Sequence, residues 1–598
     1  MPPQSSQPTE RLQQVSRHLA PSSPPRSSTR PPAAFRWRPA LPDDLPVWHT
    51  PLNPITFLLK AALIRPDHPA LVHSGRAGGG VSWTYSQWAE RVAQLAYALR
   101  ARGLGEGDRV FVLGPNVPFV ADALQAVPAA KMVLVVVNTR LSAPEIEFLV
   151  RDSGTKLILV DESLVDLLPK DVVESGRDKG AKVQVVRCAD TGKADDPYEQ
   201  LLREGAEYDE KLGGKEWAGL EFHRDEEATI AITYTSGTTS RPKGVELTAR
   251  GCYLAAIANA VESRLTDSSR FLWTLPMFHV LGWCFPWSTT MAMCTQVCLR
   301  TMDYDRIWHV FLHDGVTHYN AAPTVQIAIV GHHKARKLDK PLLATIAGAA
   351  PTATLIEQLE KLGITVVHVY GTSEAYGPMT RTYYVDPASP HYYRDMAKQG
   401  HSFLTADDIR IVRLTPEGEP PTTDLTETAA DGKEIGEIVM RGNIVMKRYA
   451  NNEEATKKAF AGGWYHTGDL GIRYPDGTFA IVDRAKDFII SGGENISSLA
   501  VESALAAHED VFECAVVGRP HEKWGERPHA FCVLKPGSRW HGKHAQFETA
   551  VKAALRGKIS AFAIPEWIEV VKPEDLPKTS TGKIQKVALR DRVKKLSL

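Results

Sequence analysis

The stretch from Tyr234 to Val245 constrains the fold and the chemistry of this chain more than any other. It reads Tyr-Thr-Ser-Gly-Thr-Thr-Ser-Arg-Pro-Lys-Gly-Val and follows a short apolar run at residues 228–234 that is typical of a buried strand. Beyond it, apolar residues between Leu254 and Leu265 recur at helical spacing, and Thr248 is placed to cap that helix. The sequence therefore predicts a strand, a polar glycine loop and a helix in that order.

Such a loop can bind phosphate, because backbone N–H groups, hydroxyl groups and an ammonium group converge on one point. The candidate ligands are Thr235, Ser236, Gly237, Thr238, Thr239 and Lys243. The loop is not the Walker pattern, since Pro242 precedes the lysine and no Gly-Lys-Ser/Thr ends it. A solvated turn without a ligand has the same composition, so the motifs further along the chain must decide between the two.

Length and composition exclude several classes of protein. A chain of 598 residues is too long for one core and indicates several domain-sized units. Seventy basic and seventy acidic side chains cancel, so no overall field attracts nucleic acid or an anionic membrane. The 7 cysteines lack paired zinc spacing, which favours reduced thiols inside a cell. The most apolar segment, Trp283 to Leu299, contains polar residues and is short for a membrane span, so we expect no transmembrane segment.

Helical and strand patterns alternate from Leu45 to about Val160. Tyr85 to Arg102 has helical spacing, and three short runs at residues 109–113, 132–137 and 156–160 have the pattern of buried strands. Strands separated by helices predict a parallel sheet covered on both faces. After Lys486 a mixed pattern of short strands and helices has the length of one small domain. The predicted fold is therefore α/β, with a large N-terminal domain of mixed and parallel sheets and a small α+β C-terminal domain.

Two further motifs carry candidate ligands at the ends of predicted strands. Tyr370-Gly-Thr-Ser-Glu374 ends an apolar run, and Glu374 would lie beside the phosphate loop if both ended strands of one sheet. Asp469 and Arg484 flank the Asp476-Gly477 turn signal, so a hairpin would bring their side chains together. A carboxylate with two oxygens suits two vicinal ribose hydroxyl groups.

With the run Leu576-Pro-Lys-Thr-Ser-Thr-Gly-Lys583, these motifs resemble, in order and spacing, those of the adenylate-forming enzymes, the AMP-binding superfamily of acyl-CoA synthetases and their relatives. The resemblance covers the chain from about Leu45 onward. Ser240 and the run Phe278-His-Val-Leu-Gly-Trp283 look like the plant and fungal acyl-activating enzymes of short-chain, medium-chain or aromatic acids. The resemblance implies an acid–CoA ligase that uses ATP, Mg²⁺ and CoA and forms acyl-CoA, AMP and pyrophosphate through an acyl-adenylate.

The resemblance also implies a role for each matching residue. It makes Lys583 the catalytic lysine, Glu374 the Mg²⁺ ligand, and Ser373, where threonine is usual, a phosphate contact. Besides the loop, it implies these ATP or AMP ligands: Gly348, Ala349, Ala350, His368, Tyr370, Gly371, Asp469 and Arg484. It implies these residues for the acyl pocket: His279, Trp283, Trp287, Ala322, Tyr376 and Gly377. It makes Lys486 the hinge of a mobile C-terminal domain and places the pantetheine arm of CoA against Gly492 and Gly493.

We therefore expect a disordered targeting tail at residues 1–44, an AMP-binding domain at 45–485 and a mobile C-terminal domain at 486–598. In the tail, Arg11-Leu-Gln-Gln-Val-Ser-Arg-His-Leu19 matches the N-terminal peroxisomal targeting signal, which implies a peroxisomal location and an import receptor as partner. A presequence for the mitochondrial matrix and the plain disordered tail of a cytoplasmic protein have a similar composition.

Three functions remain open at this point: an acid–CoA ligase, an adenylating enzyme that loads a separate carrier protein, and a non-catalytic or luciferase-like relative. The chain ends fifteen residues after Lys583, which speaks against a carrier domain within it. Lys583, Glu374 and Asp469 fill the positions that a non-catalytic relative would lack. Because Trp283, Trp287 and Tyr376 are bulky, we expect short, medium or aryl acids and not long ones.

Overall fold

The structure is a computed structural model that describes residues 36–40, 45–75, 80–175, 182–235, 242–415, 423, 425–492, 494–578 and 584–596. Several residues singled out by the sequence lie outside this part of the chain, namely the signal Arg11–Leu19, the loop residues Ser236, Gly237, Thr238 and Thr239, and also Gly493 and Lys583. Thr235 and Lys243, at the two ends of the loop, are described.

The strands, in chain order, are β1 (Pro69–His73), β2 (Val81–Thr84), β3 (Arg109–Leu113), β4 (Val133–Val136), β5 (Thr155–Asp161), β6 (Gln184–Cys188), β7 (Thr229–Tyr234), β8 (Gly244–Thr248), β9 (Arg270–Trp273), β10 (Thr295–Cys298), β11 (His318–Ala321), β12 (Leu342–Ile346), β13 (Ile364–Thr372), β14 (Gly377–Arg381), β15 (His401–Ser402), β16 (Arg410–Val412), β17 (Gly436–Met440), β18 (Arg448–Tyr449), β19 (Tyr465–Arg473), β20 (Phe479–Arg484), β21 (Ile489–Ser491), β22 (Glu494–Ile496), β23 (Val511–His521), β24 (Gly525–Leu534) and β25 (Trp567–Val570).

The helices are α1 (Ile55–Ile64), α2 (Tyr85–Ala101), α3 (Pro118–Ala129), α4 (Ala143–Asp152), α5 (Lys170–Ser175), α6 (Pro197–Lys211), α7 (Ala249–Glu262), α8 (Val280–Trp283), α9 (Phe285–Met291), α10 (Tyr304–His313), α11 (Pro323–Val330), α12 (Ala353–Lys361), α13 (Tyr392–Met396), α14 (Glu453–Ala459), α15 (Ser498–Ala506), α16 (His544–Leu555) and α17 (Lys586–Lys595). Short 3₁₀ turns lie at Glu162–Leu167, Glu216–Gly219, Ser373–Ala375, Ala461–Gly463, Ala561–Ala563 and Pro573–Asp575. Within the described part of the chain, none of these helices has the length and apolar surface needed to cross a membrane.

Two large mixed sheets form most of the molecule. Sheet A has seven strands in the order β18-β8-β7-β4-β3-β5-β6, and sheet B has nine in the order β15-β14-β13-β12-β11-β9-β10-β1-β2. In both sheets the central strands run parallel, and antiparallel strands pair at one edge of sheet A and at both edges of sheet B. Sheet C is a smaller antiparallel sheet in the order β16-β17-β19-β20. The predicted α/β fold with mixed and parallel sheets is confirmed.

The side chains of β3 show why the centre of sheet A is parallel and buried. Val110 and Val112 pack into one hydrophobic core, whereas Phe111 and Leu113 pack into another. Successive side chains of a strand point to opposite faces of the sheet, so an uninterrupted apolar run buries both faces. This is the arrangement that the alternating helical and strand patterns predicted.

The phosphate-loop candidate joins two antiparallel strands and does not lead directly into a helix. β7 pairs with β8, Tyr234 lying opposite Gly244 and Thr233 opposite Val245. The predicted order of strand, loop and helix is therefore wrong, because burial of Val245 and Leu247 draws this segment into a strand before α7 begins. The predicted cap is confirmed, since Thr248 Oγ1 accepts a hydrogen bond from the Gly251 backbone N–H at 3.1 Å.

The last part of the chain forms a small α+β unit. β21 to β25 make the five-stranded sheet D, in which β23 and β24 form a long antiparallel pair. Helices α15, α16 and α17 pack on it, and its buried side chains form two hydrophobic clusters of their own. The small C-terminal α+β domain is thus present, while its boundary at residue 486 and its mobility stay predictions.

Residues 36–40 correct the predicted extent of the tail. Arg36 Nε donates to Glu216 Oε2 at 2.7 Å, Trp37 is 7% exposed, and Ala40 forms an isolated bridge with Glu221. A disordered tail over the whole of residues 1–44 is therefore wrong for this segment. The ion pair of Arg36 and the burial of Trp37 hold this short segment against the protein, although its composition alone is typical of a tail.

Gly205 allows the close approach of helices α6 and α2, and its replacement tests that packing. A Cβ at this position would lie 1.8 Å from the Gln94 carbonyl oxygen of α2. We expect Gly205→Ala to lower the melting temperature, because the clash, worth about 1–3 kcal/mol, exceeds the gain of up to about 1 kcal/mol in helix propensity. Gly105→Ala is the matched control, since nothing lies within 4 Å of its Cβ. An unchanged melting temperature for Gly205→Ala would contradict this packing.

Candidate active site

Several of the predicted site residues lie at one edge of sheet B. Strands β11, β12 and β13 are adjacent and parallel, so their carboxyl ends meet at the same edge. Ala322 follows β11, the segment from Gly348 to Ala350 follows β12, and Gly371 to Glu374 ends β13 and begins the next turn. Gly348 has a φ of 88° and open space around the position of a Cβ, so a planar ligand can lie against this backbone.

Glu374 is connected to the antiparallel strands β7 and β8, here named the phosphate hairpin, through a contact that was not predicted. Glu374 and the hairpin end strands of two different sheets, so the condition of a shared sheet, under which Glu374 was placed beside the loop, is not met. Instead, the Tyr449 hydroxyl donates to Glu374 Oε1 at 2.8 Å, and Tyr449 lies in β18 at the edge of sheet A. Burial, and then the carboxylate of Glu374, raise the pKa of Tyr449, so this hydroxyl keeps its proton.

The two described ends of the loop lie next to this contact. The Thr235 backbone N–H donates to the Lys243 carbonyl oxygen at 3.0 Å, which closes the base of the loop. The Lys243 ammonium group lies 4.8 Å from the centre of the Tyr449 ring, within cation–π distance. A cation, a hydroxyl group and a carboxylate from two sheets are therefore gathered beside the loop.

Asp469 and Arg484 are brought together as the hairpin pattern predicted. They lie opposite each other in the β19–β20 pair, and Arg484 Nε is 3.2 Å from Asp469 Oδ1. The Tyr370 hydroxyl, which comes from sheet B, donates to Asp469 Oδ2 at 2.7 Å. Burial and Asp469 raise the pKa of Tyr370 well above 10, so it acts as a donor. Each carboxylate oxygen keeps a second lone pair for a ligand hydroxyl group.

Residues around Lys486 connect the small unit to sheet C. Burial and the neighbouring Arg484 lower the pKa of Lys486. Across this junction, the backbone N–H and the hydroxyl of Ser498 each donate to Asp483 Oδ2 at 2.6 Å, and the Ser497 hydroxyl donates to the carbonyl oxygen of Val482 at 2.6 Å.

Helix α17 is fixed to the small unit close to the same junction. Lys586 Nζ donates to the Ser498 hydroxyl at 2.6 Å and pairs with Glu502 at 2.8 Å, and Arg590 pairs with Asp487. These contacts attach α17, the helix that follows residue 583, to α15 and to the segment beside Lys486.

Gly492 makes room for an aromatic side chain in the small unit. Its backbone N–H donates to the Trp524 carbonyl oxygen at 2.8 Å. A Cβ at Gly492 would lie 2.6 Å from the Trp524 ring, so the indole packs directly on the backbone. The role of Gly492 in the passage of pantetheine stays a prediction.

The segment between His279 and Phe285 has an unusual backbone. Val280, Leu281, Gly282, Trp283 and Cys284 all have positive φ angles, between 48° and 62°. This left-handed turn costs roughly 1–2 kcal/mol for each residue that carries a Cβ. It brings the rings of His279 and Trp283 into an edge contact with centroids 6.4 Å apart. Strain of this kind persists where the surroundings hold it, commonly at ligand sites.

Trp283 also packs against Gly377, another residue of the predicted acyl pocket. A Cβ at Gly377 would lie 3.1 Å from both Cα and Cβ of Trp283. Gly371 is more restricted still, because its Cβ would lie 1.7 Å from the carbonyl oxygen of Gly377. Glycine at both positions lets the turn that carries Glu374 fold back onto the left-handed segment.

Three other predicted site residues are enclosed in the protein. Tyr376 donates its hydroxyl to Thr248 Oγ1 at 3.1 Å, Trp287 is fully buried in the core, and His368 is 2% exposed. His368 Nδ1 lies 2.9 Å from the Lys398 carbonyl oxygen, so the imidazole donates to it from Nδ1. Direct ligand contacts of these three residues stay predictions.

Comparison with known proteins identifies the family. A model of the AMP-binding enzyme family matches residues 58–450, and one of the AMP-binding enzyme C-terminal domain matches residues 500–583. The chain belongs to the AMP-binding enzyme family. The resemblance to adenylate-forming enzymes is thereby confirmed.

Several members of this family are similar to the chain over nearly its whole length. It is 38% identical to the peroxisomal acetate/butyrate–CoA ligase of Arabidopsis thaliana, over 94% of this chain and 98% of that protein. It is 33% identical to the peroxisomal trans-cinnamate:CoA ligase of Petunia hybrida, over 93% and 97% of the two. The solved structure of Bacillus subtilis o-succinylbenzoate CoA synthetase, in complex with its acyl-adenylate intermediate, is 27% identical with a TM-score of 0.72, over 90% and 97% of the two chains.

The family matches include most of the site described above. The AMP-binding match ends just after Tyr449, so it includes the contact between this residue and Glu374. Asp469 and Arg484 lie between the two matched ranges, and Lys583 is the last residue of the second. Tyr449 was missed from the sequence because a single tyrosine after a short polar run has no distinctive pattern.

The buried His368 predicts a pH dependence of stability. Burial lowers its pKa from 6.5 to about 4. Between these values the unfolded chain binds a proton that the folded protein excludes, so this stabilisation is complete above pH 6.5 and is lost as the pH falls toward 4. We expect His368→Gln to make the melting temperature depend less on pH in this interval. The corresponding change in the free energy of unfolding is at most about 1.4 kcal/mol per pH unit. An unchanged slope would contradict a neutral buried imidazole.

Proposed function

We propose that this AMP-binding enzyme is an ATP-dependent acid–CoA ligase that converts a carboxylic acid, ATP and CoA into acyl-CoA, AMP and pyrophosphate. The observation that carries the proposal is the gathering of Lys243, Tyr449 and Glu374 on one side and of Tyr370, Asp469 and Arg484 on the other. The first group suits the phosphates of a nucleotide, and the second suits its ribose. Similarity to acid–CoA ligases along nearly the whole chain supports the same conclusion.

The first half-reaction activates the acid. A carboxylate oxygen attacks the α-phosphorus of ATP, and the bond to the pyrophosphate oxygen breaks. Such a transfer depends on positioning and on neutralising charge more than on covalent help. In the proposal, Lys583 neutralises the α-phosphate and the incoming carboxylate, while Lys243, Thr235 and the loop between them hold the departing pyrophosphate. Asp469 and Arg484 fix the ribose, and the backbone from Gly348 to Ala350 lies against the adenine.

Glu374 fits the requirement for a magnesium ligand. Mg²⁺ is usually held by one or two carboxylates together with substrate phosphates. Glu374 Oε1 accepts one hydrogen bond, and among the described residues no cationic side chain forms an ion pair with this carboxylate. When bound, the ion neutralises charge on the phosphate oxygens. Ser373, beside Glu374, has a hydroxyl for the same phosphates.

The second half-reaction transfers the acyl group to sulfur. The thiolate of CoA attacks the carbonyl carbon of the acyl-adenylate, and the bond to the AMP oxygen breaks. In the proposal, the C-terminal domain turns about Lys486, withdraws Lys583 and brings Gly492 and Gly493 beside the pantetheine arm. Gating of this kind keeps water from the mixed anhydride between the two steps.

We also propose short-chain, medium-chain or aromatic acids as substrates. Trp283 packs on Gly377 and meets His279 edge-on, which supports a short pocket with an aromatic wall. Two relatives are named for acetate or butyrate and for trans-cinnamate, which agrees with this size range. Both are also named peroxisomal, which supports a peroxisomal location and recognition of Arg11–Leu19 by an import receptor.

An acid panel tests this proposal. We expect pyrophosphate release and acyl-CoA formation with CoA present, and higher kcat/KM for butyrate, hexanoate or a cinnamate-type acid than for palmitate. A preference for palmitate would contradict the proposed substrate class. Pyrophosphate release with acyl transfer to a carrier protein but not to CoA would favour the carrier-loading alternative, and the absence of acid-dependent pyrophosphate release would contradict both.

Replacement of Lys583 separates the two half-reactions. We expect Lys583→Ala to slow adenylation by on the order of a hundredfold or more, because one charge-stabilising donor at the reacting phosphate is lost. Thioester formation from supplied acyl-AMP and CoA should stay close to that of the unmodified protein. Pyrophosphate release and acyl-CoA formation are measured separately, and an equal loss of both steps would refute this role.

A further inference from the structure

Tyr449 contacts both Glu374, which follows a strand of sheet B, and Lys243, which lies at the end of the loop between β7 and β8. The strand of Tyr449, β18, belongs to sheet A, whereas Glu374 lies two residues beyond the end of β13 in sheet B. We propose that Tyr449 is a positioning residue whose hydroxyl holds the Glu374 carboxylate beside the phosphate hairpin, so that Glu374 and Lys243 act on the same nucleotide phosphates. The proposal rests on the proposed function and adds a residue for which the sequence suggested no role.

Glu374 is held at both its ends by the segment that contains Tyr449. Its side-chain Oε1 accepts from the Tyr449 hydroxyl at 2.8 Å, and its backbone carbonyl oxygen accepts from the Met446 N–H at 2.6 Å. Two bonds to residues three positions apart fix the direction of the glutamate as well as its location. With Oε1 oriented by a hydroxyl donor, Oε2 remains as the acceptor for a cation.

The same segment is joined to the phosphate hairpin on its other side. Tyr449 pairs with Val245 across the β18–β8 ladder, and the Ala450 N–H donates to the Gly244 carbonyl oxygen at 2.7 Å. The Lys243 ammonium group lies 4.8 Å from the centre of the Tyr449 ring. The tyrosine therefore touches the lysine with its ring and the glutamate with its hydroxyl, and these two functions can be separated by mutation.

Tyr449→Phe removes the hydroxyl and keeps the ring under Lys243. A matched control is Tyr198→Phe, because Tyr198 is also buried and donates to a carboxylate, Asp122 Oδ2, at the same distance of 2.8 Å. Both variants lose one buried hydroxyl–carboxylate bond, so both are expected to lose some thermal stability. Only Tyr449→Phe removes a bond to a residue of the proposed site, since Asp122 is not part of that site.

Calorimetry with a non-hydrolysable ATP analogue tests the proposal without turnover. Its affinity is measured with Mg²⁺ and with EDTA for the unmodified protein and for both variants. We expect Tyr449→Phe to reduce the magnesium-dependent gain in affinity by about tenfold, while the affinity in EDTA changes less than twofold. Tyr198→Phe should leave both values within twofold. Pyrophosphate release should require a correspondingly higher Mg²⁺ concentration in Tyr449→Phe, with thioester formation from supplied acyl-AMP unchanged.

Combining the variant with Glu374→Gln tests whether the hydroxyl acts through the glutamate. If it does, Tyr449→Phe in the Glu374→Gln background changes the affinity for the magnesium complex by less than twofold. A full tenfold effect in that background, an unchanged magnesium-dependent gain in Tyr449→Phe, or an equal effect of Tyr198→Phe would each overturn the proposal. Absence of nucleotide binding by the unmodified protein would instead refute the proposed function, which distinguishes the two failures.

Discussion

The pairing of β18 with β8 is the interaction on which the candidate site depends. β18 has only two residues, but its pairing with β8 extends sheet A as far as the turn after β13 of sheet B. Glu374 lies in that turn. The phosphate hairpin and Glu374 belong to separate sheets, and β18 supplies one of the links between them, beside the bond from the Tyr376 hydroxyl to Thr248 of β8. The contact between Tyr449 and Glu374 is the point at which the two sheets form one site.

The turn that carries Glu374 also depends on the close approach of its backbone to the left-handed segment at residues 280–284. Gly371 and Gly377 face each other with no space for a side chain at the first position, and Gly377 lies against Trp283. The left-handed segment that carries Trp283 is costly in isolation, so packing around it must supply the difference. Indeed Val280, Leu281, Trp283 and Cys284 are all buried.

The sequence predicted correctly those features that depend on residues close together in the chain. The alternating elements of sheet A, the cap at Thr248 and the meeting of Asp469 with Arg484 all follow from short-range signals, such as strand periodicity, a capping residue and an Asp-Gly turn. The errors arise where distant residues decide. Burial of Val245 and Leu247 turns a supposed helix entry into a strand, and Glu216 holds Arg36 in a segment that composition assigns to a tail. Tyr449 lies 75 positions from Glu374, so no short window contains their contact.

The hydrogen bonds across the Lys486 junction have a thermodynamic consequence. Asp483 accepts two bonds from Ser498, and Val482 accepts one from Ser497. If the C-terminal domain turns about Lys486 as proposed, these three bonds break, and the two bonds to the Asp483 carboxylate are each worth about 1.5–3 kcal/mol. The proposed turn therefore has a cost that a second arrangement must offset with bonds of comparable strength.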